Sequence, residues 1–260
     1  MRSMIGYLVC LIVAATIGFT FAPRKALDVA AEPLRPDRLQ INGMLYLDQR
    51  VVAVGERGTI LLSDDQGVSW QPATVQPQRD LTLTAVVALA DDNLLAVGHD
   101  GWILRSADRG AQWQEVRHDS ELGEPLLGIW SAGGTHVLAF GSFGKFYQSD
   151  DEGRTWQTAE LSVDSAHLNG MDGGPDGRRM LVGEQGLVMR TDDAGQHWQT
   201  LAPFYNGSLF GVVRLSAQRW VAYGMRGHVF VTQDFGHSWQ QVAVGNSLPL
   251  YGHALLPNGE

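Results

Sequence analysis

Cysteine is almost missing from these 260 residues: Cys10 is the only one. It follows Val9, where a lipidation site would want Gly, Ala or Ser, so lipidation is not expected and no disulfide braces the rest of the chain. Charge is thin as well, with 18% Asp, Glu, Lys and Arg and a net charge of −9. Residues 1–36 hold Arg2, Arg24, Lys25 and Arg35 against Asp28 and Glu32, so the remainder is more acidic still. Such a surface repels a phosphate backbone, which argues against nucleic acid as a partner. The eight histidines are scattered, with no H-x-H or H-E-x-x-H spacing, and imply neither a metal site nor a cofactor. Long apolar runs are limited to residues 4–22, MIGYLVCLIVAATIGFTFA, preceded by Arg2 and followed by Arg24 and Lys25. That stretch reads as an export signal or as a retained membrane anchor, since about 19 apolar residues just suffice to span a bilayer. Cleavage could follow Thr20-Phe21-Ala22, although Pro23 would then lie beyond the cut, or Val29-Ala30-Ala31, which lies far from the apolar run.

What the sequence has in abundance is repetition. The pattern S/T-x-D-x-G-x-x-W occurs five times, at Ser63–Trp70, Ser106–Trp113, Ser149–Trp156, Thr191–Trp198 and Thr232–Trp239. Its aspartates, Asp65, Asp108, Asp151, Asp193 and Asp234, are spaced by 43, 43, 42 and 41 residues, the period of a four-stranded propeller blade. Its tryptophans are Trp70, Trp113, Trp156, Trp198 and Trp239. A G-x-x-G turn precedes every copy: Gly55/Gly58, Gly98/Gly101, Gly141/Gly144, Gly183/Gly186 and Gly224/Gly227. Further upstream an apolar residue, any residue and a small residue recur six times, from Ile41-Asn42-Gly43 to Leu250-Tyr251-Gly252. In the second unit these markers predict strands at 83–90, 94–98, 102–106 and 113–116. The first strand, the most continuously apolar, is expected to be innermost with both faces covered. The second glycine of G-x-x-G is expected to take positive φ after a type I turn.

The repeated Asp is expected to accept backbone N–H groups of its own loop, the Gly to supply a left-handed turn, and the Trp to return the chain to the core. A residue repeated in every unit serves the fold rather than one catalytic centre. The predicted organisation is therefore residues 1–22 as signal or anchor, 23–36 as linker and 37–260 as an all-β propeller. Its units fall near 37–76, 77–119, 120–162, 163–203 and 204–245, with a sixth beginning at 246–260.

These motifs resemble the Asp-box, or bacterial neuraminidase, repeat, and the G-x-x-G turn ahead of each box resembles photosystem II stability/assembly factors in particular. The resemblance covers roughly residues 37–260. It implies a seven-bladed propeller, of which five blades and the start of a sixth are present, so that a truncated propeller is expected. It also implies export to the periplasm, or to the thylakoid lumen in a photosynthetic source, and a cofactor-free scaffold that binds a membrane protein complex or envelope protein, with membrane contact through residues 4–22. The competing expectation is an Asp-box glycosidase, sialidase-like, or a carbohydrate-binding propeller. Glycosidase chemistry needs paired carboxylates, and sialidases need several arginines. The inner strands offer only Asp172, Arg214 and His253, and the Arg-Ile-Pro motif of sialidases is absent. Trp102, Trp130 and Trp220 lie outside the boxes and could stack on sugars or pack between units.

Propeller geometry puts the G-x-x-G turns on one face together with the connections between units, and the Asp-boxes on the other. The residues between the glycines vary: Glu56-Arg57, His99-Asp100, Ser142-Phe143, Glu184-Gln185 and Met225-Arg226. Variable polar and aromatic tips suit a protein interface. The expected partner-binding residues are Arg57, His99, Asp100, Phe143, Glu184 and Arg226 on the turns and Phe204 and Tyr205 on a connection, with Phe143, Phe204 and Tyr205 as exposed anchors.

Overall fold

The computed structural model describes residues 6, 7, 11–14, 16 and 38–254, apart from 120, 122 and 164. The chain divides into two compact units, Met1–Leu34 and Arg35–Glu260. In the first, the described residues are helical and exposed. Among the described residues no helix is long and apolar enough to cross a membrane, and the signal or anchor expected at residues 4–22 lies largely outside them.

Among the described residues the second unit holds five sheets in sequence order, antiparallel but for one pairing. The first contains β1 (Ile41–Leu47), β2 (Arg50–Gly55), β3 (Ile60–Ser63) and β4 (Gln71–Pro72). The second contains β6 (Leu83–Ala88), β7 (Leu94–Gly98), β8 (Ile103–Ser106) and β9 (Gln112–Arg117), with β5 (Thr74–Gln76) paired parallel to β9 at its outer edge. The third contains β10 (Leu126–Ser131), β11 (Val137–Gly141), β12 (Phe146–Ser149) and β13 (Gln157–Thr158). In the fourth are β14 (Leu168–Gly173), β15 (Arg179–Gly183), β16 (Val188–Thr191) and β17 (Gln199–Thr200). The fifth has β18 (Leu209–Arg214), β19 (Trp220–Gly224), β20 (Val229–Thr232) and β21 (Gln240–Val242). The unit boundary placed at residue 76 is thus displaced: Thr74–Gln76 hydrogen-bonds in the second sheet. The sixth marker, Leu250–Gly252, forms no strand; Tyr251 stacks on Phe210 of the fifth sheet, with ring centroids 4.8 Å apart.

Burial follows the second strands rather than the first. All of Leu94–Gly98, Val137–Gly141 and Arg179–Gly183 is buried, whereas β1 alternates half-buried and exposed residues. Period-two alternation sends Leu94 and Ala96 into a core shared with Val52 and Val54, and Leu95 and Val97 into the next core with Leu126 and Val137. A second strand therefore has a sheet on each face. The first strands instead run beside one another, and the variable residue of their marker links them. Asn42 donates to the Leu83 carbonyl at 2.8 Å, Thr84 to that of Leu126 at 2.7 Å and Asn169 to that of Leu209 at 2.9 Å. Trp102 and Trp220 are fully buried and Trp130 is 8% exposed, so these three rings pack between sheets and offer no sugar platform.

The boxes are built alike. In each, the opening Ser or Thr hydroxyl donates to the Asp at 2.7–2.8 Å, and its oxygen accepts the Gly N–H at 2.7–3.1 Å. The same carboxylate accepts the backbone N–H four residues on, at 2.8–3.0 Å. The chain turns through two left-handed residues, for example Gln66 (φ 60°) and Gly67 (φ 95°). Trp113 is buried and the other four box tryptophans are half-buried; Trp70, Trp113 and Trp156 donate their indole N–H to the box glycine carbonyl at 2.8–3.0 Å.

These hydrogen bonds favour the ionised carboxylate. Donation from Ser69, Thr155 and Ser238 brings Asp65, Asp151 and Asp234 down to about 2. Because the folded-state values are depressed, their contribution to stability is complete above the ordinary carboxylate value of about 4 and is lost as pH falls through about 2. Denaturant midpoints measured across that window should drop steadily, and Asp65→Asn, Asp151→Asn and Asp234→Asn together should flatten the slope; a flat wild-type profile would contradict this account.

Candidate functional site

The five G-x-x-G turns share one geometry. Gly55 N–H donates to the Thr59 carbonyl and Thr59 N–H to that of Glu56, each at 3.0 Å, with Arg57 at φ 55° and Gly58 at φ 66°. Two successive positive φ values make this the type I′ pattern, which suits the strand twist of a hairpin, rather than a type I turn followed by glycine. The first glycine is needed for a different reason. A Cβ on Gly98 would collide with the backbone carbonyl of Thr82, and one on Gly141 with that of Pro125.

The pair between the glycines is consequently split in role. Its second member is held left-handed in every unit: Arg57, Asp100, Phe143, Gln185 and Arg226 have φ between 54° and 59°. Arg57, Gln185 and Arg226 are exposed, Phe143 is 59% exposed and Asp100 is half-buried. The first member is partly committed to the fold. Glu184 accepts the His167 N–H at 3.2 Å, as Glu56 accepts that of Gln40 at 3.2 Å, and Ser142 is buried, while His99 stays exposed. Glu184 is therefore a structural acceptor, not a free tip.

Connections between units join the same face. Asp119 N–H donates to Asp100 at 2.8 Å, Gly144 N–H to Ala166 at 2.9 Å and Gly186 N–H to Gly207 at 2.8 Å, all to carbonyls. Lys145 pairs with Glu124 at 2.5 Å. Arg79 pairs with Glu115, which also accepts the Trp102 indole N–H at 2.7 Å; the guanidinium holds that carboxyl below its usual range. The opposite face carries the boxes, which bond to the turns between first and second strands: Arg109 N–H to Asp92 at 3.2 Å, Glu152 to Thr135 at 2.9 Å, Ala194 to Gly177 at 3.0 Å and Phe235 to Gln218 at 2.8 Å.

Phe204 and Tyr205 do not serve as exposed anchors. Phe204 is half-buried, stacked on Trp239 at 4.8 Å and edge-on to Phe230 at 5.0 Å. Tyr205 packs on His228 and Phe230 and donates its hydroxyl to the Met225 carbonyl at 3.3 Å. Both close the core of the fourth and fifth sheets. Apolar rings beside a thinly packed outer strand are worth more buried than exposed. Phe143 is the expected anchor that remains exposed, its ring edge against His167 at 4.8 Å.

Sequence reasoning missed a set of arginines that reach the next unit's box. Arg50 donates to the Arg109 carbonyl at 3.3 Å, Arg105 to that of Glu152 at 3.2 Å and Arg190 to that of Phe235 at 2.6 Å. An Arg directly before the box at Arg105-Ser106 and Arg190-Thr191 was the available signal. The inner-strand polar groups are likewise engaged in the fold. Asp172 accepts the Arg214 backbone N–H at 2.7 Å, Arg214 pairs with Asp176 at 2.8 Å and the Tyr223 hydroxyl meets His253 at 2.7 Å. Burial, with the Asp172 charge second, pushes Tyr223 up to about 12. Among the described residues no group of three or more His, Cys, Asp or Glu is arranged to hold a metal.

Non-glycine residues in the left-handed region cost about 1–2 kcal/mol each. Replacing the exposed Arg57 or Arg226 by Gly should leave stability unchanged or raise it by up to about 1 kcal/mol, after allowing for glycine's freedom in the unfolded chain. Chemical denaturation of the single variants checks this, and a loss above about 1 kcal/mol would show that these side chains support the fold.

Known proteins place this architecture. A solved structure titled "YCF48 bound to D1 peptide" matches with TM-score 0.61 and 21% identity, over 78% of this chain and 66% of that one. YCF48 from Cyanidioschyzon merolae matches with TM-score 0.54 and 14% identity, over 83% of this chain and 88% of that one. The GH74 xyloglucanase from Xanthomonas campestris matches with TM-score 0.64 and 18% identity, over 78% of this chain and 38% of that one. At such identities the likeness is one of fold: an all-β assembly of four-stranded sheets matching these propellers. No curated protein matches the sequence. The family model described as photosynthesis system II assembly factor YCF48 matches residues 44–178, just over half of the chain, and with its boxes and turns the chain belongs to that family.

Proposed function

We propose that this protein is a non-enzymatic, exported scaffold that binds another protein and assists assembly or stability of a membrane protein complex. The observation that carries the reading is the row of left-handed turn tips. Arg57, Phe143, Gln185 and Arg226 sit exposed at backbone positions that would be cheaper as glycine, on a face tied together by turn-to-connection hydrogen bonds. Strain maintained at exposed tips is accounted for by contact with a partner, where an aromatic and two arginines contribute most. The structure of a family relative with a D1 peptide bound supports a peptide or protein ligand. Export, a periplasmic or lumenal location and a seven-bladed ring belong to the same proposal and rest on residues 4–22 and on the family.

Replacing Phe143, Arg57 and Arg226 together by Ala should reduce co-purification of an envelope partner at least tenfold while leaving the unfolding free energy within about 1 kcal/mol of wild type. Substitutions at exposed box-face positions such as Val68 should leave partner capture intact. The reverse pattern would place the interface on the box face.

The GH74 matches keep a carbohydrate reading open to test. In this chain Asp172 accepts the Arg214 backbone N–H, Arg214 pairs with Asp176 and His253 meets the Tyr223 hydroxyl, contacts that serve the fold rather than paired-carboxylate chemistry. Purified protein is expected to release no sugar from xyloglucan or sialosides. Turnover abolished by Asp172→Asn would overturn the non-enzymatic assignment.

A further inference from the structure

Each second strand carries an equivalent residue at or next to its start, the one paired with the first residue of the box. Four of these are apolar: Val51 opposite Ser63, Leu94 opposite Ser106, Val137 opposite Ser149 and Trp220 opposite Thr232. The fourth sheet places Arg179 there, opposite Thr191. Arg179 is only 5% exposed, and its Nε and Nη1 atoms are sealed from solvent without a hydrogen-bond partner. Its guanidinium lies 4.6 Å from the Trp130 ring centroid, which supports the cation from one face and leaves its N–H edge unused. A buried charge without a hydrogen-bonded counter-charge is costly, and the other four sheets show that the fold accepts an apolar residue in its place.

Arg179 lines an open groove of about 810 Å³ between the third and fourth sheets. His136 and His197 line it as well. His136 holds Asp150 through Nδ1 at 2.7 Å, and its Nε2 is a third shielded atom without a partner; His197 holds Asp193 at 2.7 Å. Two of the acids nearby, Asp150 and Asp193, are therefore already engaged, and Glu160 is exposed at the rim. Burial weakens Arg179's hold on its proton while the Asp193 charge strengthens it, and a guanidinium remains protonated in proteins.

We infer that the groove between the third and fourth sheets is a binding site for a small anion with at least two oxygens, a carboxylate or a phosphate-class oxyanion, received by the fork of Arg179, with His136 lining the same groove. The fork geometry of guanidinium matches both chemistries, and shielding from water strengthens the contact. The site lies away from the turn face and does not depend on the scaffold reading.

The test uses the full chain, titrated separately with inorganic phosphate and with acetate, at an ionic strength held constant with chloride. Thermal unfolding is the readout. A saturable rise in Tm with either anion, absent with chloride alone, is expected; the anion that gives it identifies the chemistry. Arg179→Leu should weaken that response at least tenfold and, without anion, should be no less stable than wild type. No saturable response in wild type, or the same response in Arg179→Leu, overturns the proposal. Should Arg179→Leu fail to fold, His136→Ala takes its place: a weakened response supports the site, and an unchanged response to both anions overturns it.

Discussion

Each sheet is closed by a carboxylate that has to be ionised and surrounded by donors. The box Asp gathers a hydroxyl, a backbone N–H and, in four of the five boxes, a second side-chain donor, while the hydroxyl oxygen takes the glycine N–H. This network bends the chain through two left-handed residues while giving the box Asp, the hydroxyl and the glycine N–H their partners. Only after that bend can the Trp lie back on the sheet. The box also anchors its surroundings, since its backbone meets the neighbouring first turn and arginines from the preceding sheet reach its carbonyls. Loss of one carboxylate thus loosens a turn, a tryptophan and a junction together.

The opposite face is governed by sterics instead. Where Gly55, Gly98, Gly141, Gly183 and Gly224 pass the strand entry, the backbone is too close for a Cβ. The following type I′ turn then presents one residue outward per unit. A row of five similarly oriented tips on rigid hairpins is a surface whose chemistry can change without touching the core. Rigid presentation lowers the ordering cost of binding, which suits a scaffold.

Much of this was legible in the sequence because both motifs are local. The box hydrogen bonds span four residues and the hairpin spans five, so residue type and spacing dictate them directly. The second-unit strands fall close to expectation, with β6 ending at Ala88 because Leu89 N–H already bonds to the Asn93 carbonyl across the turn. What escaped was set by neighbours in space. An apolar first strand looks innermost and doubly covered, yet fuller coverage belongs to the second strand, whose alternate residues enter the cores on both sides of the sheet. Phe204 and Tyr205 read as loop aromatics because nothing in the sequence places Trp239 and Phe230 beneath them. Asn42, Thr84 and Asn169 looked arbitrary until the adjoining strand supplied their acceptors. Arg179 carried no motif at all.

The parallel pairing of β5 with β9 has a consequence for how the molecule comes apart. In a chain of stacked repeats, stability is close to a sum of each repeat and its junctions, and opening begins at the weakest junction. The segment leaving the first sheet is stitched into the edge of the second by Thr74–Gln76, a seam found at none of the other three junctions among the described residues. The first two sheets are therefore coupled by backbone as well as by side chains, so opening their junction costs ladder hydrogen bonds in addition to packing. Parting these two sheets would have to break that seam, an obstacle that the near-identical repeats do not suggest.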